Sequence, residues 1–125
     1  YTKHNSKLGL NIAFNYSGRW QIEQAVLHAA KQVKDDSKNN IYDEFEAYLR
    51  QEIPHDPDLL IRTGGDRRLS NFMLWHLAYT ELFFTDVLWP DFDEQVLAQA
   101  LASFSQRERR FGLVKEDTAQ VKSII

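Results

Sequence analysis

Apolar and polar positions follow two rhythms along this chain. Leu8 to Phe14, Leu-Gly-Leu-Asn-Ile-Ala-Phe, reads as a mostly apolar strand ending at the polar turn Asn15-Tyr16-Ser17-Gly18-Arg19. Ile22, Ala25, Val26, Ala29, Ala30 and Val33 then recur at helical spacing, which predicts an amphipathic helix over residues 18–34. A solvated loop is expected from Asp35 to Asn40, then a second helix with Ile41, Phe45, Tyr48 and Leu49 on one face. Pro54-His55-Asp56-Pro57 ends that helix, because residues before proline are biased away from helical backbone. Leu59-Leu60-Ile61 suits a buried strand with Arg62 at its end, and Gly64-Gly65 breaks it. Ser70-Asn71 is positioned to cap an apolar helix running to Tyr79, and Glu81-Leu82-Phe83-Phe84 reads as a third short strand. After the turn at Trp89-Pro90, Asp91 or Asp93 would cap a last helix whose core face is Phe92, Val96, Leu97, Ala100, Leu101 and Phe104. Beyond Gly112 no clear period remains, apart from a short segment near Val121 to Ile125.

Strands alternating with helices predict an α/β fold, a parallel sheet with helices on both faces. Ligands of such sheets bind beyond the carboxyl ends of the strands, where 15–19 and 62–68 would lie.

At 125 residues, 43% hydrophobic and 13% aromatic, the chain can bury one domain's core. Its formal net charge of -3 argues against a general nucleic-acid binder, so any anion site must be local. The absence of cysteine excludes thiolate chemistry and fits a reducing, cytoplasmic setting. No apolar run reaches the length of a membrane span. The start at Tyr1, flowing straight into an apolar strand, suggests a fragment whose earlier half is absent.

Candidate chemistry gathers around the glycine turn. Arg62, Arg67 and Arg68 flank Gly64-Gly65, and guanidinium forks suit phosphate oxygens because they donate in a plane and stay charged. With Ser70 at an expected helix start, where amides and the helix dipole favour an anion, this predicts a phosphate or diphosphate pocket. Asp66 is the expected partner of Arg67 or Arg68. Glu81, between a buried helix and an apolar strand, is read as either an ion-pair partner or a Mg²⁺ ligand. His4, His28, His55 and His76 lack zinc-ligand spacing, and the basic end Arg107-Glu108-Arg109-Arg110 suits a helix C-terminus.

The same residues carry a resemblance. Arg62-Thr63-Gly64-Gly65, Arg68-Leu69-Ser70-Asn71-Phe72, Leu74-Trp75, Tyr79, Glu81-Leu82 and 84–92 are similar to the cis-prenyltransferase family, most closely the bacterial undecaprenyl diphosphate synthases. Asn11-Ile12-Ala13, 15–19 and 107–112 extend the likeness to nearly the whole chain. The resemblance implies the C-terminal portion, 1–125, of a single prenyltransferase domain. It implies Mg²⁺-dependent cis condensation of isopentenyl diphosphate with an allylic diphosphate such as farnesyl diphosphate, forming a polyprenyl diphosphate that carries cell-wall precursors. Arg62, Arg68 and Ser70 would hold the diphosphate of isopentenyl diphosphate, with Arg67, at a position where the family varies, and Asn71 beside them. Glu81 would bind or position Mg²⁺. Arg110-Phe111-Gly112 matches the family's Arg-x-Gly, which reaches across a homodimer interface to the same site. The catalytic aspartate and the allylic-diphosphate loop would lie in an N-terminal half outside this sequence, so the 125 residues are expected to be inactive alone. Membrane contact would be peripheral, during release of an apolar product. The alternative is a non-catalytic partner subunit, against which the joint retention of Arg62, Arg68, Ser70 and Glu81 argues.

Overall fold

The computed structural model describes residues 3–32, 40–51 and 53–107; the loop 35–39, Arg110, Gly112 and the tail beyond lie outside them. In chain order the elements are α1 (Gly18–Gln32), α2 (Ile41–Arg50), β1 (Leu59–Arg62), β2 (Glu81–Phe84), a short 3-10 turn (Trp89–Asp91) and α3 (Glu94–Ser105). They fall into two compact units. One holds the described residues of Tyr1–Asp56 and Arg68–Ala78, the other those of Pro57–Arg67 and from Tyr79 onward.

In the first unit α1 packs on α2. Ala25 and Ala29, small residues one turn apart, are fully buried, as is Leu49 of α2, and the His28 and Tyr48 rings lie 5.0 Å apart by their centres. Asn40 starts α2 by accepting the Tyr42 amide on its side chain, and Asp43 and Glu44 occupy the first turn, where negative charge suits the helix dipole. A polar network ties this pair to neighbouring segments. Trp75 packs edge-on against Phe45 and donates its Nε1–H to Glu46 Oε1 at 2.9 Å. Arg50 forks onto Asp56, with Nη1 at 2.6 Å from Oδ1 and Nη2 at 3.3 Å from Oδ2. Asp56 Oδ1 also lies 3.0 Å from Nδ1 of the fully buried His76. The hydrogen bond from Arg50 holds the Asp56 carboxyl below the usual carboxylate range, with His76 assisting against partial burial. That contribution is present at neutral pH and is lost as acid protonates the carboxylate.

In the second unit β1 and β2 pair in parallel, from Leu59 opposite Glu81 to Arg62 opposite Phe84. All eight residues are half-buried. Asp93 caps α3, its Oδ1 accepting the amides of Gln95 and Val96 at 3.0 Å each. Of the expected core face of α3, Ala100 is fully buried, but Leu97 and Leu101 are 40% and 51% exposed.

Two expected elements do not form. Residues 8–14 take no regular secondary structure and enter no ladder among the described residues, and Leu8, Leu10, Ile12 and Phe14 are 79–92% exposed. Apolar alternation supplies a strand's side chains, whereas the strand itself requires a hydrogen-bonded neighbour. No helix starts at Ser70 either: Ser70, Asn71 and Met73 have φ of 48°, 65° and 45°, and the segment to Tyr79 is a series of turns. Left-handed backbone at three of four successive residues prevents an α-helical ladder from starting there. Among the described residues no helix is long and apolar enough to cross a membrane.

Candidate functional site

Arg62 closes β1, and its carbonyl accepts the Thr85 amide at 3.0 Å, extending the parallel pairing one step past the strands. The chain then turns through Gly64 and Gly65, whose φ of 85° and 81° L side chains rarely adopt. The turn is fastened to the segment after β2: Gly64 N–H donates to Val87 O at 2.8 Å and Gly65 N–H to Thr85 O at 3.0 Å. These amides are therefore committed to the protein. An anion bound at this turn would have to be held by side chains rather than by a backbone cradle.

Across the turn Asp66 reaches back, its Oδ2 accepting from Arg62 Nη2 at 3.0 Å. Asp66 thus pairs with Arg62, which the expectation of an Arg67 or Arg68 partner did not include. With Arg62 only 24% exposed and Asp66 44%, the carboxylate fixes the direction of a half-buried cation at the carboxyl end of the sheet. Arg67 is exposed at the end of this unit.

Arg68, Ser70 and Asn71 belong to the first unit, where all three are exposed. There Asn71 closes the start of α1. Its carbonyl accepts the Gly18 amide at 2.8 Å, its Oδ1 accepts the Arg19 amide at 2.9 Å, and its Nδ2 donates to Ser17 Oγ at 2.9 Å. Ser17 completes the set, with Oγ accepting from Trp20 N at 3.3 Å and its carbonyl from Gln21 N at 3.0 Å. The first four amides of α1 are thereby satisfied within the protein, as helix ends require. A Cβ on Gly18 would stand 2.9 Å from Asn71 O, so glycine at that position permits the clasp. The helix-dipole argument for an anion at Ser70 does not hold, since no helix begins there. The pair Ser70-Asn71, read as a helix cap, instead occupies left-handed backbone, a region that asparagine tolerates.

Glu81 opens β2, its amide bonded to Asp58 O at 3.1 Å. Its Oε2 accepts from Arg107 Nη1 at 2.6 Å, a charge-assisted bond between side chains 24% and 40% exposed. The sequence reading of Arg107 as a partner of the helix dipole missed this contact, which joins residues 26 positions apart. Among the described residues no group of three or more His, Asp or Glu side chains is placed to hold a metal ion. Glu81 alone, already paired with a guanidinium, does not make a Mg²⁺ site; that ion takes one or two carboxylates together with phosphate oxygens and water. Arg110 and Gly112 lie outside the described residues.

Comparison with known proteins fits this arrangement to one family. Residues 1–112 match the prenyltransferase family described as "Putative undecaprenyl diphosphate synthase". An isoprenyl transferase of Fusobacterium nucleatum subsp. nucleatum is 54% identical over 114 residues, covering 91% of this chain and 48% of that protein. A ditrans,polycis-undecaprenyl-diphosphate synthase ((2E,6E)-farnesyl-diphosphate specific) of Coxiella burnetii is 53% identical over 118 residues, covering 92% of this chain and 50% of its own length. Among solved structures, a probable undecaprenyl diphosphate synthase from Campylobacter jejuni superposes with a TM-score of 0.72 at 32% identity, over 90% of this chain and 51% of that one. Lavandulyl diphosphate synthase from Lavandula x intermedia, in complex with dimethylallyl diphosphate, gives 0.67 at 42% identity, over 78% and 44%. The chain spans about half the length of the curated relatives it matches. It belongs to the undecaprenyl diphosphate synthase family of prenyltransferases.

Proposed function

We propose that these residues form the isopentenyl side of a cis-prenyltransferase. The enzyme would condense isopentenyl diphosphate with an allylic diphosphate such as farnesyl diphosphate, giving a long-chain polyprenyl diphosphate such as undecaprenyl diphosphate, the lipid carrier for cell-wall synthesis. The observation that carries this reading is the family match over residues 1–112 in a chain that keeps Arg62, Arg68, Ser70 and Glu81. A non-catalytic partner subunit would have no use for that set.

In this reading Arg62, Arg68 and Ser70 bind the diphosphate of isopentenyl diphosphate, with Arg67 and Asn71 adjoining. A guanidinium has five N–H donors, more than one carboxylate takes up, so Arg62 can be aimed by Asp66 and still grip a diphosphate. Holding that group fixes the isopentenyl double bond for attack, which converts an encounter into an oriented reaction. Glu81 is proposed as one oxygen donor to Mg²⁺, which supplies charge neutralisation for diphosphate chemistry; further donors would come from the substrate and from residues other than those described. The working protein is proposed to be a cytoplasmic homodimer in which Arg110 and Gly112 of one copy reach the other's diphosphate, with peripheral membrane contact during product release.

The test is Arg68→Ala in a chain of the relatives' full length that carries these 125 residues. A charge-assisted contact is worth roughly 1.5–3 kcal/mol, so the KM for isopentenyl diphosphate should rise about tenfold or more, with the melting temperature unchanged. An unchanged KM rejects the assignment.

A further inference from the structure

The left-handed run at Ser70, Asn71 and Met73 lies in a series of turns, with neither a helix nor a sheet ladder to fix its course. Backbone of this kind persists where its surroundings over-determine it. At the front the run is clasped to the start of α1 by Asn71, and the Phe72 ring meets Tyr16 edge-on at 5.6 Å. At the rear two side chains tie it to α2 and the segment after it: Trp75 donates Nε1–H to Glu46, and the fully buried His76 bonds Asp56. Both rear acceptors meet on one guanidinium. Arg50, the last residue of α2, brings Nε to 3.4 Å from Glu46 Oε2 and forks its Nη atoms onto Asp56. An ionised carboxylate only accepts, so the Asp56 that Arg50 holds sets which nitrogen of His76 carries the proton and how the ring is turned.

We propose that Arg50 is a positioning residue for Ser70: it aims Glu46 and Asp56 at Trp75 and His76, and that rear anchor keeps the left-handed run from relaxing and moving the Ser70 hydroxyl. The inference rests on the reading of Ser70 as a ligand of isopentenyl diphosphate. Its further content is that the placement of this ligand is governed from α2, through a network that itself touches no substrate.

The experiment is steady-state kinetics on the full-length chain with Arg50→Gln, Arg50→Lys and Asp56→Asn, each alone and combined with Ser70→Ala, and with a thermal melt of every variant. Partly exposed ion pairs are weak, so Arg50→Gln should raise the KM for isopentenyl diphosphate about three- to fivefold and leave that for the allylic diphosphate unchanged. Arg50→Lys, which keeps the charge without the fork, should recover part of the loss. Combined with Ser70→Ala, Arg50→Gln should add little, because it acts through that residue. Should Arg50→Gln fail to fold, Asp56→Asn, of the same shape as the parent, carries the same expectation. If Ser70→Ala raises this KM while Arg50→Gln and Asp56→Asn do not, or if their effects add fully to it or fall equally on both substrates, the positioning role is overturned and the reading of Ser70 survives. If Ser70→Ala itself leaves the KM unchanged, both fall.

Discussion

Among the described residues, two stretches run through left-handed backbone at more than one residue, and they support it by opposite means. At Gly64 and Gly65, φ is 85° and 81° in residues that bear no Cβ, and both amides bond to the segment after β2. At Ser70, Asn71 and Met73 the φ values are 48°, 65° and 45° in residues that do bear side chains. There the conformation costs on the order of 1–2 kcal/mol per residue, less for asparagine. What offsets it is Asn71, whose carbonyl and side chain satisfy the first two amides of α1. The first stretch is cheap to build and local in purpose. The second is strained and serves a helix more than fifty positions earlier in sequence, as the separation of 52 between Arg19 and Asn71 records. Both carry candidate diphosphate ligands, and strain held in place by its surroundings is common at such positions.

The contrast can be broken most severely at Gly18. Alanine there would put its Cβ 2.9 Å from Asn71 O and 3.1 Å from Leu74 N, both backbone atoms that cannot swing aside. Overpacking of this kind typically costs about 1–3 kcal/mol, and Gly18→Ala should sit at the upper end, read as a lower urea midpoint of the full-length chain. A midpoint equal to the parent would mean that the clasp has slack. Gly64→Ala should cost less, about 1–2 kcal/mol of backbone strain alone, because nothing lies within 4 Å of the new Cβ. The same urea titration measures it, and a cost matching that of Gly18→Ala would reveal a hidden steric contact. Ser70→Gly carries the smallest effect and the opposite sign. Relief of the strained φ outweighs the added freedom of glycine in the unfolded chain, so stability should rise by up to about 1 kcal/mol. Binding of isopentenyl diphosphate should weaken in the same variant. Stability that falls instead would place Ser70 among the supports of the fold and not among its strained positions.

Much of the fold was legible because its signals are local. Asp93, one of the two capping candidates, caps α3, the apolar runs of β1 and β2 sit where four-residue strands formed, and Gly64-Gly65 breaks the chain as expected, whereas Asn40, read only as loop, caps α2. Residues 70–79 were misread because an apolar run after the capping pair Ser70-Asn71 looks like a buried helix, while the hydrogen bonds that decide the backbone come from Ser17, Gly18 and Arg19. Periodicity has no access to partners so distant in sequence. The candidate site divides likewise. The arginine cluster and Ser70 could be picked out from charge and spacing, but the Asp66 brace on Arg62 and the Arg107 bond to Glu81 depend on which side chains the turn and α3 bring face to face.

Residues 8–14 carry a consequence for the chain as a material. Leu8, Leu10, Ile12 and Phe14, at every second position, stand 79–92% exposed beside backbone that joins no ladder among the described residues. Such a stretch is a template for cross-strand growth: whichever edge meets it first, in another molecule or in a chaperone's apolar cleft, gains backbone bonds and apolar burial in one step. Self-association that steepens with protein concentration, and sedimentation before any loss of helix, are therefore the expected behaviour of these 125 residues in a concentration series by analytical ultracentrifugation.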